Sequence, residues 1–432
     1  MGYVNSKTTV LTGLRIVDGT GSAPIENGVV VVEGRYVRDV GSTGSVEVPR
    51  EVEVIDLNGY TALPGLIDAH LHLTGLRSGD FIRESLLTPH EVLVARVIRD
   101  LESLLMAGFT TVCDAGGAIA LGLRHAVAEG TIKGPRIVAA GYALSQTFGH
   151  GDDHYLPLEY VDVRTSRLKP AFGALICDGV DECRKAARYA LREGADFIKI
   201  MASGGVLSEK DRPEYTQFTL DEIKAIVEEA EHANRFVHAH AEGSKGIANA
   251  LKGGVKVIAH ADFIDEDGIE LAKERNAIIV PTFAVDEHLV KYGEEVNIPK
   301  WGLEKIIELY ELHRDNVKKA YRAGVKLATG TDFFGGVKAF RHGDNALELI
   351  LFIEKLGMTV LEAVACATRN AAEAVGLKHL IGTIERGKIA DIIILKRNPL
   401  DDVKALLDSN NVVAVLKEGL PLKDSAQLFY IH

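Results

Sequence analysis

Between Leu66 and Asp332 the sequence alternates eight times between a short apolar strand and a connecting segment, and most of the connections are amphipathic helices. The strands read as Leu66–Leu73, Thr110–Asp114, Arg136–Gly141, Phe197–Met201, Phe236–Glu242, Val255–Ala261, Ala277–Thr282 and Lys326–Asp332. The clearest helices fall at Ser85–Ala107, Asp181–Glu193, Thr219–Asn234 and Ile269–Arg275, and Thr219-Leu-Asp-Glu222 is a capping-box start for the third. Eight strands in this order, each followed by a return path, are what a closed parallel (β/α)8 TIM barrel requires. A doubly wound sheet also alternates, but no glycine-rich phosphate turn follows the first strand. The longest irregular stretch, Tyr142–Gly179, exceeds what an idle connection needs and is expected to cover the barrel mouth.

The two chain ends have a different texture. Thr9–Val17 is β-rich, Gly28–Glu33 follows it after a turn, and Glu51–Leu57 alternates like a half-buried strand. Near the other end Asp391–Leu395 reads as an apolar strand and Val412–Glu418 as another, with two separate arms as the alternative to one shared sheet domain. The expected organisation is therefore an α/β chain in which residues 1–62 and 381–432 together form a small β-sandwich and residues 63–380 form the barrel.

Composition narrows the partners. The 432 residues carry 49 basic and 61 acidic side chains, a net charge of −12, which argues against nucleic acid or an anionic membrane as the main partner. No apolar run is long enough to span a bilayer, and the first ten residues lack a signal-peptide pattern. Met1-Gly2 with Ser6 matches a myristoylation pattern, a short match with nothing beside it. The cysteines Cys113, Cys177, Cys183 and Cys366 are scattered, which fits a reducing, cytoplasmic setting. Assembly into a homo-oligomer is expected, without a residue pattern to carry it.

In a (β/α)8 barrel the chemistry sits at the C-terminal strand ends. There the first strand ends in His70-Leu-His72, and alternation puts both imidazoles on one face. The fourth carries Lys199 among apolar neighbours, where a free ammonium is costly. It reads either as a snorkelling lysine, as a Schiff-base lysine of low pKa, or as a lysine carboxylated by CO₂ into an anionic oxygen ligand. The fifth strand, Phe236-Val-His238-Ala-His240-Ala-Glu242, points three polar groups inward. His240 and Glu242 lie nearer the mouth, so His240 is taken as a ligand and His238 as a satisfied inner histidine. The sixth strand ends at His260 and the eighth at Asp332. Such nitrogen and oxygen donors suit divalent metal ions, zinc above manganese or iron.

The order His-x-His, Lys, His, His, Asp, with Pro64-Gly-Leu-Ile-Asp-Ala-His70 and Gly382-Thr-Ile-Glu-Arg-Gly-Lys-Ile-Ala-Asp391, resembles the binuclear amidohydrolase superfamily over nearly the whole chain. Phe148-Gly-His-Gly-Asp152 and Ile198-Lys-Ile-Met-Ala-Ser-Gly-Gly205 resemble the group of imidazolonepropionase, prolidases and related carboxypeptidases. The resemblance implies two divalent metals, with His70, His72 and Asp332 on the buried ion and His240 and His260 on the outer one. Carboxylated Lys199 would bridge them. Glu242 departs from the dipeptide-cleaving relatives, where a tyrosine or histidine is expected, and is similar instead to the proton-shuttling glutamate of deaminases.

The expected chemistry is metal-assisted hydrolysis of a C–N bond in a small substrate, with Asp332 as general base and then acid. An Xaa-Pro-type dipeptide or an N-acyl amino acid is the first substrate expectation, its carbonyl polarised by the metal or by a histidine such as His150, with Glu242 free to grip a substrate amine. Arg341 and His342 are candidates for a substrate carboxylate, with an exposed loop pair as the alternative. His154 and His288 read as surface residues. A deaminase or cyclic amidine or imidazolone hydrolase using Glu242 is the second expectation. The other classes weighed are a Schiff-base aldolase working through Lys199 and a non-catalytic assembly protein.

Overall fold

The computed structural model describes residues 7–166, 171–336 and 338–429. The Met1-Gly2-Ser6 pattern lies outside the described residues.

The barrel forms as expected from the alternation. Its strands are Leu66–Leu71, Phe109–Asp114, Arg136–Ala139 continued by Ala143–Ser145, Ile198–Met201, Val237–Ala241, Val257–His260, Ile278–Val280 and Lys326–Leu327. Successive strands pair in parallel. The third joins the fourth through the Asp196 N–H on the Ala139 carbonyl at 2.8 Å and through the Ile200–Leu144 pairing. The eighth runs on past Leu327 as extended chain and closes the cylinder on the first. Here Ala69 N–H donates to Thr329 O at 2.9 Å, Asp332 N–H to His70 O at 2.7 Å and His72 N–H to Phe333 O at 2.8 Å. Gly330 permits this seam, because a Cβ there would sit 2.7 Å from the His70 nitrogen and 2.4 Å from Val280 Cγ1.

Two expectations about the connections change. Ser85–Ala107 is two helices, Phe81–Leu87 and His90–Met106, because Pro89 forces Thr88 into the extended region and cannot donate within a helix. The stretch Tyr142–Gly179 is not wholly irregular. It opens with Ala143–Ser145, the continuation of the third strand, and Ala174–Ile176 pairs alongside that segment. The local sequence Gly141-Tyr142, with Gly141 at φ +69°, breaks the strand and hides its second half from a periodicity reading.

A second sheet takes strands from both chain ends, in the order Leu420–Asp424, Val412–Lys417, Ile392–Leu395, Thr61–Pro64, Thr8–Ile16, Ile25–Glu33 and Tyr36–Ser42, with Glu53–Asp56 also on Thr8–Ile16. Thr61–Pro64 straddles the boundary expected at residues 62 and 63. Alternation works in both halves. Val30 and Val32 enter one core with Leu11 and Leu14, while Val29 and Val31 enter another with Val10 and Val46. Ile392 and Ile394 join the sheet's own core, and Ile393 and Leu395 pack into the barrel's. That double burial explains why this strand is apolar throughout. The architecture is a TIM barrel with a separate β-sandwich.

Among the described residues no helix is long and apolar enough to cross a membrane. All four cysteines are free and buried.

Candidate metal centre

Strand ends bring the predicted ligands together from distant parts of the chain. His70 Nε2 and His72 Nε2 lie 3.3 and 3.0 Å from the same oxygen, Asp332 Oδ1. These three ligand atoms fall within 4.8 Å of one another. His260 approaches His70 with ring centroids 5.3 Å apart, and His240 approaches His260 at 4.6 Å. Lys199 is 1% exposed and lines the same cavity of about 100 Å³ as these residues, together with His150, Glu242 and Asp262.

Hydrogen bonds set which imidazole nitrogen is free. His72 Nδ1 meets the Gly116 carbonyl at 3.0 Å and His260 Nδ1 meets Thr282 Oγ1 at 2.8 Å, so each leaves Nε2 for a ligand. His240 does the reverse, with Nε2 on the Gly204 carbonyl at 3.0 Å and Nδ1 left over. Burial holds the pKa values of His70, His240 and His260 well below the ordinary histidine value, so these rings are neutral and retain lone pairs. Burial opposes the charge on Asp332, but the His72 hydrogen bond, with the charges of His72 and Lys199, outweighs it and holds the carboxyl down to about 2. His72 is raised by that partner against burial. Burial also pushes Lys199 down to about 8. Neutral inward imidazoles, one ionised carboxylate and an easily deprotonated lysine make a donor set that fits divalent cations.

Backbone strain is concentrated at the same rim. His260, Ala261, Thr282 and Asp332 have φ of +71°, +67°, +60° and +57°, a region that side chains other than glycine seldom adopt. Thr282 is β-branched, which makes its conformation the costliest of the four, and its hydroxyl is the one that orients His260.

Several residues hold the ligands without belonging to the predicted set. Asp68 is buried and accepts from Thr331 Oγ1 and Asn345 Nδ2, each at 2.7 Å, and from His70 N–H at 3.0 Å. It ties the first strand to the eighth. Its place two residues before His70, on the same face, was the signal that could have found it. Asp114 caps the second strand end by accepting from Leu73 and Gly116 N–H at 2.7 and 3.0 Å. Burial raises both carboxyls to about 6.

His238 does face inward, with Nε2 3.1 Å from His70 Nδ1, but its own Nδ1 has no partner, so it is only half satisfied. His150 stacks on His240 with centroids 4.2 Å apart and is anchored by Ser208 Oγ at 2.9 Å. Glu242 Oε1 lies 3.5 Å from His240 Nε2, and burial, then Asp262 and Asp286, push its carboxyl well above the ordinary range. Arg341 and His342 are placed elsewhere. Arg341 is exposed and pairs with Asp344 at 2.7 Å. His342 is buried and meets the His72 carbonyl at 3.1 Å, behind the site rather than in it. Neither lines the two cavities at the barrel mouth. The expectation of surface positions also fails for His154 and His288. His154 lines the wider cavity, and His288 stacks on Phe333 at 5.2 Å while meeting the Ala339 carbonyl at 2.7 Å.

That wider cavity, about 280 Å³, shares His72, His150, Met201, Leu207 and Asp332 with the first. Phe81, Phe172, Phe334 and Trp301 give its walls an aromatic part. Residues of the Tyr142–Gly179 stretch, including Tyr155 and Tyr160, form one side.

A family model described as "Amidohydrolase family" matches residues 61–421. An ochratoxinase of Aspergillus niger is 36% identical over 428 residues, covering 96% of this chain and 86% of that protein. A prolidase solved in complex with N-methylphosphonate-L-proline superposes with a TM-score of 0.88 at 36% identity, covering 97% of this chain and 100% of that one. A Xaa-Pro dipeptidase with methionine bound in its active site gives 0.85 at 31% identity, with 96% and 100% covered. The matched span includes every strand end described above, and the chain belongs to the amidohydrolase family, as a hydrolase acting on carbon–nitrogen bonds.

Proposed function

We propose that the protein hydrolyses the amide bond of a small substrate, an Xaa-Pro-type dipeptide or an N-acyl amino acid, at a centre of two divalent metal ions. The observation that carries this reading is the convergence of His70, His72 and Asp332 within 4.8 Å beside buried Lys199. His70, His72 and Asp332 would hold one ion and His240 and His260 the other. Lys199, carboxylated by CO₂ on its neutral amine, would lie between them. Zinc suits these donors best. When bound, such ions acidify water and polarise a carbonyl.

The chain's own groups do the rest. Asp332 is held as a carboxylate, so it can accept a proton from the attacking water and return it to the leaving nitrogen. The Asp68 network keeps the seam that carries Asp332 in register. His150, stacked on His240 and tethered by Ser208, lines the cavity where a carbonyl oxygen would need a donor. Prolidase and dipeptidase relatives of like fold, one of them holding a free amino acid, support a dipeptide over a larger peptide.

Glu242 favours a second reading. A carboxyl whose affinity for a proton is raised by burial, beside His240, is suited to passing a proton to a ring nitrogen, as in a deaminase or in hydrolysis of a cyclic amidine or imidazolone. The low pKa of Lys199 would also serve a Schiff base, but family membership favours the carboxylated form. The test is to strip the protein with a chelator, reconstitute it with zinc or manganese, and screen dipeptides, N-acyl amino acids and cyclic amidines. Free amino acid release that depends on metal supports the first reading. Ring opening of a cyclic amidine or imidazolone, read by loss of the ring's absorbance, or deamination, read by ammonia release, supports the second, and turnover indifferent to chelation overturns both.

A further inference from the structure

The cavity has an acidic wall that the proposed hydrolysis does not use. Asp262, two residues beyond the ligand His260, and Asp286, on the helix Phe283–Tyr292, flank His313 of the helix Lys300–Arg322. His313 Nδ1 lies 2.7 Å from Asp286 Oδ2 and 3.6 Å from Asp262 Oδ1, and Nε2 lies 2.9 Å from the His260 carbonyl. Glu242 opens onto the same cavity. The trio of Asp262, Asp286 and His313 has the spacing of a metal site. The hydrogen bonds argue against that use. Both nitrogens of His313 face acceptors, a carboxylate and a carbonyl, so both carry protons and neither offers a lone pair.

Two oxygens in this wall have no hydrogen-bond partner among the described residues. Glu242 Oε2 and Asp262 Oδ2 are buried, without a hydrogen bond, on residues 5% and 3% exposed that line the cavity. His313 faces Asp262 and Asp286, and the charges of Arg314 and Lys305 act on Asp262 and Glu242 in turn. Arg314 donates to the Tyr310 carbonyl at 2.5 Å and lies 3.5 Å from Glu287, and Lys305 donates to the Gly205, Ser208 and Asp211 carbonyls, so neither cation hydrogen-bonds the two open oxygens. Carboxylates facing one closed space are costly unless a cation enters with hydrogens to donate. Beside them, Val206, Leu207, Val285 and Leu289 offer an aliphatic surface.

We infer that Glu242 and Asp262 receive a primary ammonium group of the substrate, so that the enzyme selects amides whose acyl half carries a free amine. This inference rests on the amide-hydrolase reading above. Position assigns the acyl half. Glu242 lies 3.5 Å from His240 and lines the smaller cavity but not the aromatic chamber. An α-ammonium is two bonds from the carbonyl carbon, so a group held at Glu242 keeps that carbon beside His240. Asp332, which returns the proton to the leaving nitrogen, lines both cavities, and it therefore places the leaving half toward the chamber of Phe172, Phe334 and Trp301.

The test compares L-leucyl-L-proline with 4-methylpentanoyl-L-proline, which differ only in the ammonium group, on the zinc-reconstituted full chain. A kcat/KM advantage of about a hundredfold for the amine is expected, and Asp262→Asn and Glu242→Gln should each reduce it to about tenfold or less. Cleavage of the two compounds within about threefold of each other, or an advantage unchanged in both variants, overturns the inference. Calorimetry with L-leucinamide and 4-methylpentanamide runs beside it and needs no turnover. If neither proline compound is cleaved, the dipeptide reading fails by itself. Tighter binding of leucinamide to the wild-type protein then still supports the ammonium subsite, and equal binding overturns it.

Discussion

His72 and Asp332 meet at 3.0 Å across the seam where the barrel closes, one just past the first strand and the other just past the eighth. The pair exists only if the cylinder is shut, so the proposed catalytic carboxylate is assembled by the same hydrogen bonds that complete the fold. Removing Asp332 should therefore affect metal and proton transfer together. Asp332→Asn is expected to lower kcat by about a thousandfold or more and to lose metal, read by steady-state rates and elemental analysis on the same samples. A variant with full metal and full rate would remove Asp332 from the centre.

Lys199→Ala should abolish metal-dependent turnover. Its more telling counterpart uses the wild-type protein. Because burial lowers the amine to about 8, an appreciable fraction is neutral near physiological pH and open to CO₂. Apo-protein reconstituted with metal in bicarbonate should regain activity faster than in CO₂-free buffer. Equal recovery would count against carboxylation.

Thr282 holds His260 through a 2.8 Å contact while in a left-handed conformation. Thr282→Val keeps the shape and removes the hydroxyl. Metal affinity is expected to fall by about 10–100-fold, measured by competition with a chromophoric chelator. Thr282→Ser should retain most of it.

His313 contributes a pH dependence to stability. Its folded pKa is raised from 6.5 to about 9, where the charges of Asp262 and Asp286 and the Asp286 hydrogen bond overcome burial. A raised histidine stabilises fully below its unfolded pKa, and that stabilisation is lost as pH rises through the folded value. Denaturant titrations of the metal-loaded protein should show stability declining between 6.5 and about 9, by on the order of 3 kcal/mol from this group. His313→Gln should be less stable at the low end and flatter across the interval.

Gly330→Ala probes the seam directly. Its Cβ would meet Val280 Cγ1 at 2.4 Å and the His70 nitrogen at 2.7 Å. A loss of about 1–3 kcal/mol in stability is expected, with weaker metal binding, read by thermal melts with and without zinc.

The strand ends were legible because a barrel imposes a polarity on its sequence. Once the eight strands are placed, His70, His72, Lys199, His240, His260 and Asp332 fall at corresponding depths. The Asp262–His313–Asp286 group was not legible. Its members come from a strand end and two helices, and His313 reads in sequence as one more buried position in a long amphipathic helix. Arg341 and His342 follow the eighth strand in sequence, yet the chain turns them aside, one to Asp344 and the other to the back of His72. Proximity along the chain did not carry over into space. The split at Pro89 was visible as a residue, but the apolar periodicity runs through it on both sides and masks the break.

The strand Ile392–Leu395 sits in the middle of the terminal sheet, beside Thr61–Pro64. During synthesis the earlier strand leaves the ribosome more than three hundred residues before its neighbour. Until then Thr61-Ala-Leu-Pro64 has a bare apolar edge, just upstream of the barrel's first strand. Completion of this sheet is thus postponed until the barrel has been synthesised, and a nascent chain stalled in the barrel carries an open β-edge that invites association with other chains.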